Sequence, residues 1–303
     1  MVEVVWRRRD KGKMAIKFFG QFLLEKNIIK PEQLIEALEY QETKNLKFGE
    51  YALSKGYISE KDFELFHNEQ KRFDLMMGEI AEKLNILTRE QIEEILTMQR
   101  NDHIFIGEAL VRQGVLSLDA LEKELALFKE EQSRYATDKI IIPTGIENPE
   151  TVNDMVDLSQ KMFKRMVNLN TKIGKGFISR EEPEENYLLI STSIYGKFKY
   201  EYVLSSSSEI AKLIASAVIG GDIKNNSREI ISDGVKEFCN IVCGNVIAKL
   251  AQKGKSLDIK PPEEIVCSDD GYHLVNGRKA IFYPLISPEG ESTLILIEGP
   301  DYK

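Results

Sequence analysis

Three cysteines, three histidines and a single tryptophan are spread over 303 residues, and each scarcity removes a class of explanation. Cys239, Cys243 and Cys267 are odd in number and confined to the last third of the chain. They argue against a disulfide framework and make a cytoplasmic location the default expectation. His67, His103 and His273 stand far apart without metal-ligand spacing, and His67 falls on an apolar position where a buried structural histidine is the simpler reading. There is no surplus of positive charge either: 41 Lys and Arg face 49 Asp and Glu, for a net charge of −8, which excludes a simple cationic nucleic-acid binder. No apolar run approaches the ~20 residues of a membrane-spanning helix, and Gly-rich phosphate loops are missing. What is present is 42% hydrophobic and 30% charged residues, in a chain long enough for about two domains.

The first 13 residues, MVEVVWRRRDKGK, carry a basic cluster without periodicity, and Met14 stands directly before the first patterned segment. A basic arm for an anionic partner is one reading. The simpler expectation is that Met14 is the true start and that residues 1–13 are not translated.

An internal repeat fills the first half. Gly20, Gly49, Gly78 and Gly107 are spaced 29 residues apart, each preceded by a bulky residue: Phe19, Phe48, Met77 or Ile106. Seven residues after each glycine stands Asn27, Gly56, Asn85 or Gly114, the two residue types that most readily end a helix in the left-handed conformation. Ser59, Thr88 and Ser117 then follow as N-caps, while the first unit uses Lys30 before Pro31. Each unit therefore reads as a short helix, a tight turn and a longer helix closing near Gln41, Gln70, Gln99 or Phe128. One helix pair cannot bury its apolar face alone, so neighbouring units must stack. Residues 14–135 are expected to be an all-α array of four helix-turn-helix units.

The repeat is similar to the N-terminal (MshEN-like) domain of type II secretion and pilus ATPases, in which tandem motifs of this period bind cyclic di-GMP in some members. The binding version opens on arginine, whereas Phe18, Lys47, Met76 and Phe105 occupy that place here. Phe and Met offer no charged planar fork, so a structural or partner-docking array, for a secretion, pilus or signalling protein, is preferred over nucleotide binding.

Periodicity lapses from Ser133 to Asn148, which puts the boundary near residue 138, with 136–303 as the second domain. Asn148-Pro149-Glu150 starts a helix. Strands are expected at 187–193, 197–204, 264–267, 278–286 and 292–298, with a short helix running to Gly220-Gly221, a long helix from about Ser227 to Lys253, and Asn276-Gly277 as a hairpin turn. This is an α+β domain with an antiparallel sheet.

The chemistry concentrates on the long helix. At 100° per residue, Asp233, Glu237, Asn240 and Gly244 share one face, opposite Val235, Phe238, Cys239, Val242 and Val246. Gly244 in mid-helix costs about 1 kcal/mol relative to Ala, and close approach of a partner backbone would explain it. Cys239 and Cys243, on the inner side, read as small core residues rather than a metal pair.

Asp233, Glu237 and Asn240 at this spacing, followed by Pro262, resemble the signature of the CheC, CheX and FliY phosphatases, and the likeness extends over residues 140–303. A single signature helix is closer to the CheX branch, which forms homodimers; Glu150 with Asn153 lacks the rest of the pattern and is read as a helix start. The resemblance implies hydrolysis of the phosphoaspartate of a CheY-like receiver domain that brings its own Mg2+, with no cofactor of this chain's own. It implies that Asn240 orients the attacking water and that Glu237 pairs with a lysine of the regulator. Asp233 and Gly244 would make further partner contacts, and Pro262 would fix the loop beside the helix. Two alternatives stay open: an adaptor that binds a response regulator without catalysis, and a cyclic di-GMP effector.

Overall fold

The computed structural model describes residues 17–72, 75–132, 139–220, 227–268 and 271–299. The basic cluster and Met14, the expected boundary at 138, Gly221 and the side chain of His67 lie outside them.

The first half is a run of helix pairs: α1 (Phe19–Glu25) with α2 (Pro31–Lys44), α3 (Phe48–Ser54) with α4 (Glu60–Arg72), α5 (Met77–Lys83) with α6 (Arg89–Asp102), and α7 (Ile106–Arg112) with α8 (Leu118–Gln132). Each short helix ends through Asn27, Gly56, Asn85 or Gly114 at φ of 54°, 69°, 54° and 72°. The next backbone N–H then donates back to the short helix at 2.9–3.0 Å, as in Ile28 to Leu23 and Tyr57 to Ala52. At the other end, side-chain oxygens of Gln21, Glu50, Glu79 and Glu108 accept from the N–H groups of Phe18, Lys47, Met76 and Phe105, at 3.0, 2.6, 2.6 and 3.2 Å. The positions where the nucleotide-binding motif carries arginine are thus helix N-caps in this chain.

The periodic glycine has a packing reason. A Cβ on Gly20, Gly49, Gly78 or Gly107 would lie 2.7, 2.5, 3.1 or 2.4 Å from Leu34, Phe63, Ile92 or Leu121, an apolar residue at the equivalent place near the start of the following long helix. Each unit closes on itself at that contact.

Stacking is not in simple sequence order. One core joins the first and fourth units, through Phe22, Leu23, Leu110 and Leu121; another joins the second and third, through Tyr51, Phe66, Ile80 and Ile95. The closing glutamines clamp these assemblies: Gln41 Nε2 donates to the Ile104 carbonyl at 2.8 Å and Gln99 Nε2 to that of Leu46 at 3.2 Å. The fourth unit has Phe128 instead, edge-on to both Phe19 and Phe22 at 5.3 Å.

The second half comprises α9 (Pro149–Met166), β1 (Lys172–Ile173), β2 (Phe177–Ser179), β3 (Leu188–Gly196), β4 (Tyr200–Ser206), α10 (Ser208–Ile219), α11 (Arg228–Gln252), β5 (Leu257–Ile259), β6 (Glu263–Glu264), β7 (Ala280–Ser287) and β8 (Gly290–Glu298). The strands form one antiparallel sheet in the order β1-β7-β8-β4-β3-β5, with β2 on β7 and β6 on β3. Ile190, Tyr202, Leu204, Tyr283 and Leu296 face the three helices. Leu189, Val203, Phe282 and Ile295 face the other way and are covered by Tyr272, Leu274 and Val275.

Two expectations need correction. Of the stretch expected at 264–267, Glu264 pairs with β3 and the Ile265 N–H still donates to the Leu189 carbonyl at 2.9 Å, but the residues beyond it to Cys267 form no strand, and the Ile265 side chain packs on the sheet's far face. Asn276-Gly277 does turn with positive φ, but inside a loop held by Glu182, whose carboxylate accepts from the N–H groups of Leu274, Val275 and Asn276 at 2.8–2.9 Å. The sheet's C-terminal hairpin instead turns between Ser287 and Gly290.

Of the two mid-helix glycines of α11, Gly234 serves packing within the chain and Gly244 does not. A Cβ on Gly234 would lie 2.5 Å from Ala215 Cβ and 2.6 Å from its Cα, so it is Gly234 that lets α10 approach closely. A Cβ on Gly244 would meet nothing within 4 Å. Gly234→Ala should therefore lower stability by about 1–3 kcal/mol through overpacking, while Gly244→Ala should raise it by up to about 1 kcal/mol. Urea denaturation of the two variants checks both signs in one experiment.

Candidate functional site

Helix α11 is set by its own sequence. Ser227 precedes it in an extended conformation, Glu229 lies in its first turn where the helix dipole favours a negative charge, and Gly254 at φ 74° ends it. Val235, Phe238, Cys239, Val242, Cys243 and Val246 are fully buried, with Phe238 against Phe163 of α9 at 5.0 Å between ring centroids. Burial pushes the Cys239 and Cys243 thiols well above their usual range, so both are unreactive core groups. Among the described residues no three His, Cys, Asp or Glu side chains are grouped to hold a metal ion.

With that side committed to the core, the opposite side carries Asp233 and Glu237, both exposed, and Asn240 and Gly244, both half-buried. The four therefore share one outward face. Asn240 Nδ2 lies 3.5 Å from Glu237 Oε2, at the limit of a hydrogen bond, so neither group is locked by the other. Asp233 Oδ1 is 3.1 Å from Lys236 Nζ, an exposed pair worth under about 1 kcal/mol. Beyond Asn240 the missing Cβ of Gly244 leaves open space along the same face. The arrangement offers a carboxamide and a carboxylate one helical turn apart, on a rigid support and open to a second macromolecule.

Pro262 is half-buried between β5 and β6, and it is tied to the helix indirectly. Two residues on, the Glu264 carboxylate accepts from Ser232 Oγ at 2.5 Å and from Arg228 Nη2 at 2.9 Å. Burial alone would raise the Glu264 carboxyl, but the Ser232 hydroxyl and the Arg228 guanidinium hold it below the usual carboxylate range. Arg228 also lies over the Tyr187 ring at 5.2 Å. This staple was missed in the sequence, where Glu264 read as a strand residue. A usable signal existed: Arg228 and Ser232 lie one turn apart at the start of α11, two groups that together suit a carboxylate.

The second Glu-x-x-Asn, Glu150 with Asn153, sits in the opening turns of α9, where Asn148 is the N-cap and Glu150 favours the helix dipole. Farther along that helix, Asp154 is buried and bridges to Lys253 at 2.5 Å and Lys249 at 3.4 Å, binding α9 to the C-terminal end of α11.

Residues 189–285, which include all of α11 and Pro262, match the protein-family model described as chemotaxis phosphatase CheX. The CheY-P phosphatase CheX of Thermotoga maritima is 27% identical over 111 residues, which is 37% of this chain and 72% of that protein. Among solved structures, a chemotaxis protein CheX from Desulfovibrio desulfuricans is 18% identical, with a TM-score of 0.43 over 50% of this chain and 99% of that one. The CheX-CheY-BeF3-Mg2+ complex from Borrelia burgdorferi is 20% identical, with a TM-score of 0.40 over 49% and 96%. The region from β3 into β7, with the long helix at its centre, is accordingly a CheX family domain.

Proposed function

We propose that this protein hydrolyses the phosphoaspartate of a CheY-like receiver domain, using the outward face of α11. One observation carries the reading: within the CheX family domain, Glu237 and Asn240 are held by a fully buried helix face yet project where a second protein can reach them. A phosphoaspartate is an activated acyl phosphate, and its receiver brings the Mg2+ that neutralises the phosphoryl charge. This chain then has little to supply beyond docking and a positioned water. A carboxamide suits the second task because it donates through nitrogen and accepts through oxygen, so Asn240 can orient a water in line with the phosphorus. Glu237, one turn away, supplies a negative charge for a lysine of the receiver, and Asp233 extends that acidic edge. Gly244 leaves room for the receiver's backbone. Pro262 stiffens the strip that Glu264 fastens to the helix.

The helical array is proposed as a docking or regulatory unit for a secretion, pilus or signalling protein. It lies against the catalytic half: α4 meets α11, and the Lys172 ammonium sits 4.8 Å from the ring centroids of both Phe18 and Phe128. A homodimer through the C-terminal half and a cytoplasmic location complete the reading. Sedimentation equilibrium of residues 1–303 should give twice the chain mass of 34.6 kDa; a monomer at micromolar concentration would remove the dimer from the account.

The activity is tested by phosphate loss from a panel of phosphorylated receiver domains. Wild type should accelerate at least one, Asn240→Ala should slow it by about 10²-fold at saturating substrate, and Glu237→Ala should act mainly on KM, by about tenfold. Wild type that binds a receiver without accelerating dephosphorylation would establish the adaptor instead. Gly244→Leu should leave the melting temperature within a few degrees of wild type yet weaken receiver binding by at least about tenfold, measured by calorimetry.

A further inference from the structure

On the face of the sheet turned away from the helices, the apolar cluster around Leu189 and Val203 gives way to polar groups toward the edge formed by β5 and β6. A half-open cavity of about 390 Å3 lies there, between β3, the strip at 260–263 and the loop beyond it. This volume falls within the ~300–1,000 Å3 common for small-molecule sites. Its floor is Glu201. The Glu201 carboxylate accepts from Ser193 Oγ at 2.9 and 3.0 Å and from Ser191 Oγ at 3.2 Å, and Ser191 is only 7% exposed. Two hydroxyl donors orient the carboxylate without neutralising it, and no cation pairs with it among the described residues.

Lys260 lines the same cavity from its rim. Its backbone N–H is bound to the Ser193 carbonyl at 2.9 Å, which fixes where the side chain starts, while its ammonium has no partner among the described residues. Arg278, also in the lining, is committed elsewhere: its Nη2 donates to the Leu274 carbonyl at 2.7 Å and its Nε to that of Val275 at 3.2 Å, bracing the covering loop. Glu201 and Lys260, of opposite charge, therefore line one cavity without an ion pair to each other or to other described groups, beside a second carboxylate, Glu263, and the Arg278 guanidinium, whose direction the loop carbonyls fix. Unpaired charges held at a cavity in this way gain most from a ligand that completes both.

We propose that this cavity binds a small zwitterion of the amino-acid class, its ammonium on Glu201 and its carboxylate on Lys260. The proposal does not rest on the phosphatase reading. Glu263 and His273 also line the cavity and would set the preferred side chain, so the probe set is the twenty common L-amino acids. The ligand's wall is the strip that carries Pro262 and leads into Glu264, so hydrogen-exchange protection on binding should fall on residues 260–266.

The test is calorimetry of the full chain with each amino acid up to about 10 mM, followed, for the one that binds, by its decarboxylated amine and its deaminated acid. The expected result is a dissociation constant at or below about 1 mM for at least one amino acid, weakened at least tenfold for the amine and for the acid. Lys260→Met, on the exposed rim, should reduce affinity at least tenfold without moving the melting temperature, and Glu201→Gln should do the same. Absence of binding by all twenty at that concentration would overturn the proposal, as would an amine or acid that binds as tightly as its amino acid. Unchanged affinity in Lys260→Met would overturn it even if Glu201→Gln failed to fold.

Discussion

Burial of one side of α11 is the constraint from which the rest of the C-terminal half follows. Phe238, Cys239, Val242, Cys243 and Val246 are wholly inside, so the helix cannot rotate about its axis without exposing a continuous apolar stripe. Each fully buried large side chain is worth about 1.5–3 kcal/mol, and several such residues act together on this one helix. Gly234 tightens the lock by admitting Ala215 to direct contact. The outward direction of Glu237 and Asn240 is thus a consequence of core packing rather than of bonds between them.

The staple from Glu264 to Ser232 and Arg228 adds a second, polar restraint. It fastens the loop after β5 to the beginning of the helix, so the strip bearing Pro262 and the acidic face belong to one rigid surface. That same strip forms a wall of the polar cavity on the sheet's far side. The outward face of α11 and the cavity are thus joined through one structural element.

Much of this was legible in the sequence because period is a direct signature of burial. The 29-residue spacing of Gly20, Gly49, Gly78 and Gly107 fixes every unit boundary in the array, and the 100° rule assigns the two sides of α11 correctly. What stayed hidden depends on contacts between distant segments. The pairing of the first unit with the fourth cannot be read from units that look alike. The 100° rule separates Gly244, on the outward face, from Gly234, but only the position of Ala215 reveals that Gly234 is a packing glycine. The short strands β1, β2 and β5 carry too few residues for an alternating pattern, and Glu182 anchors a loop more than ninety residues ahead of it. The polar cavity escaped for the same reason, since Glu201 and Lys260 come together only when the sheet forms.

The proposed activity requires that the outward face of α11 receive a phosphorylated receiver domain. The most direct measurement is amide chemical-shift mapping of this protein during titration with a receiver activated by beryllofluoride and Mg2+. The largest changes should cluster at residues 233, 237, 240 and 244 and around 262. Binding accompanied by changes confined to α1–α8, with the face of α11 unaffected, would contradict the proposed activity.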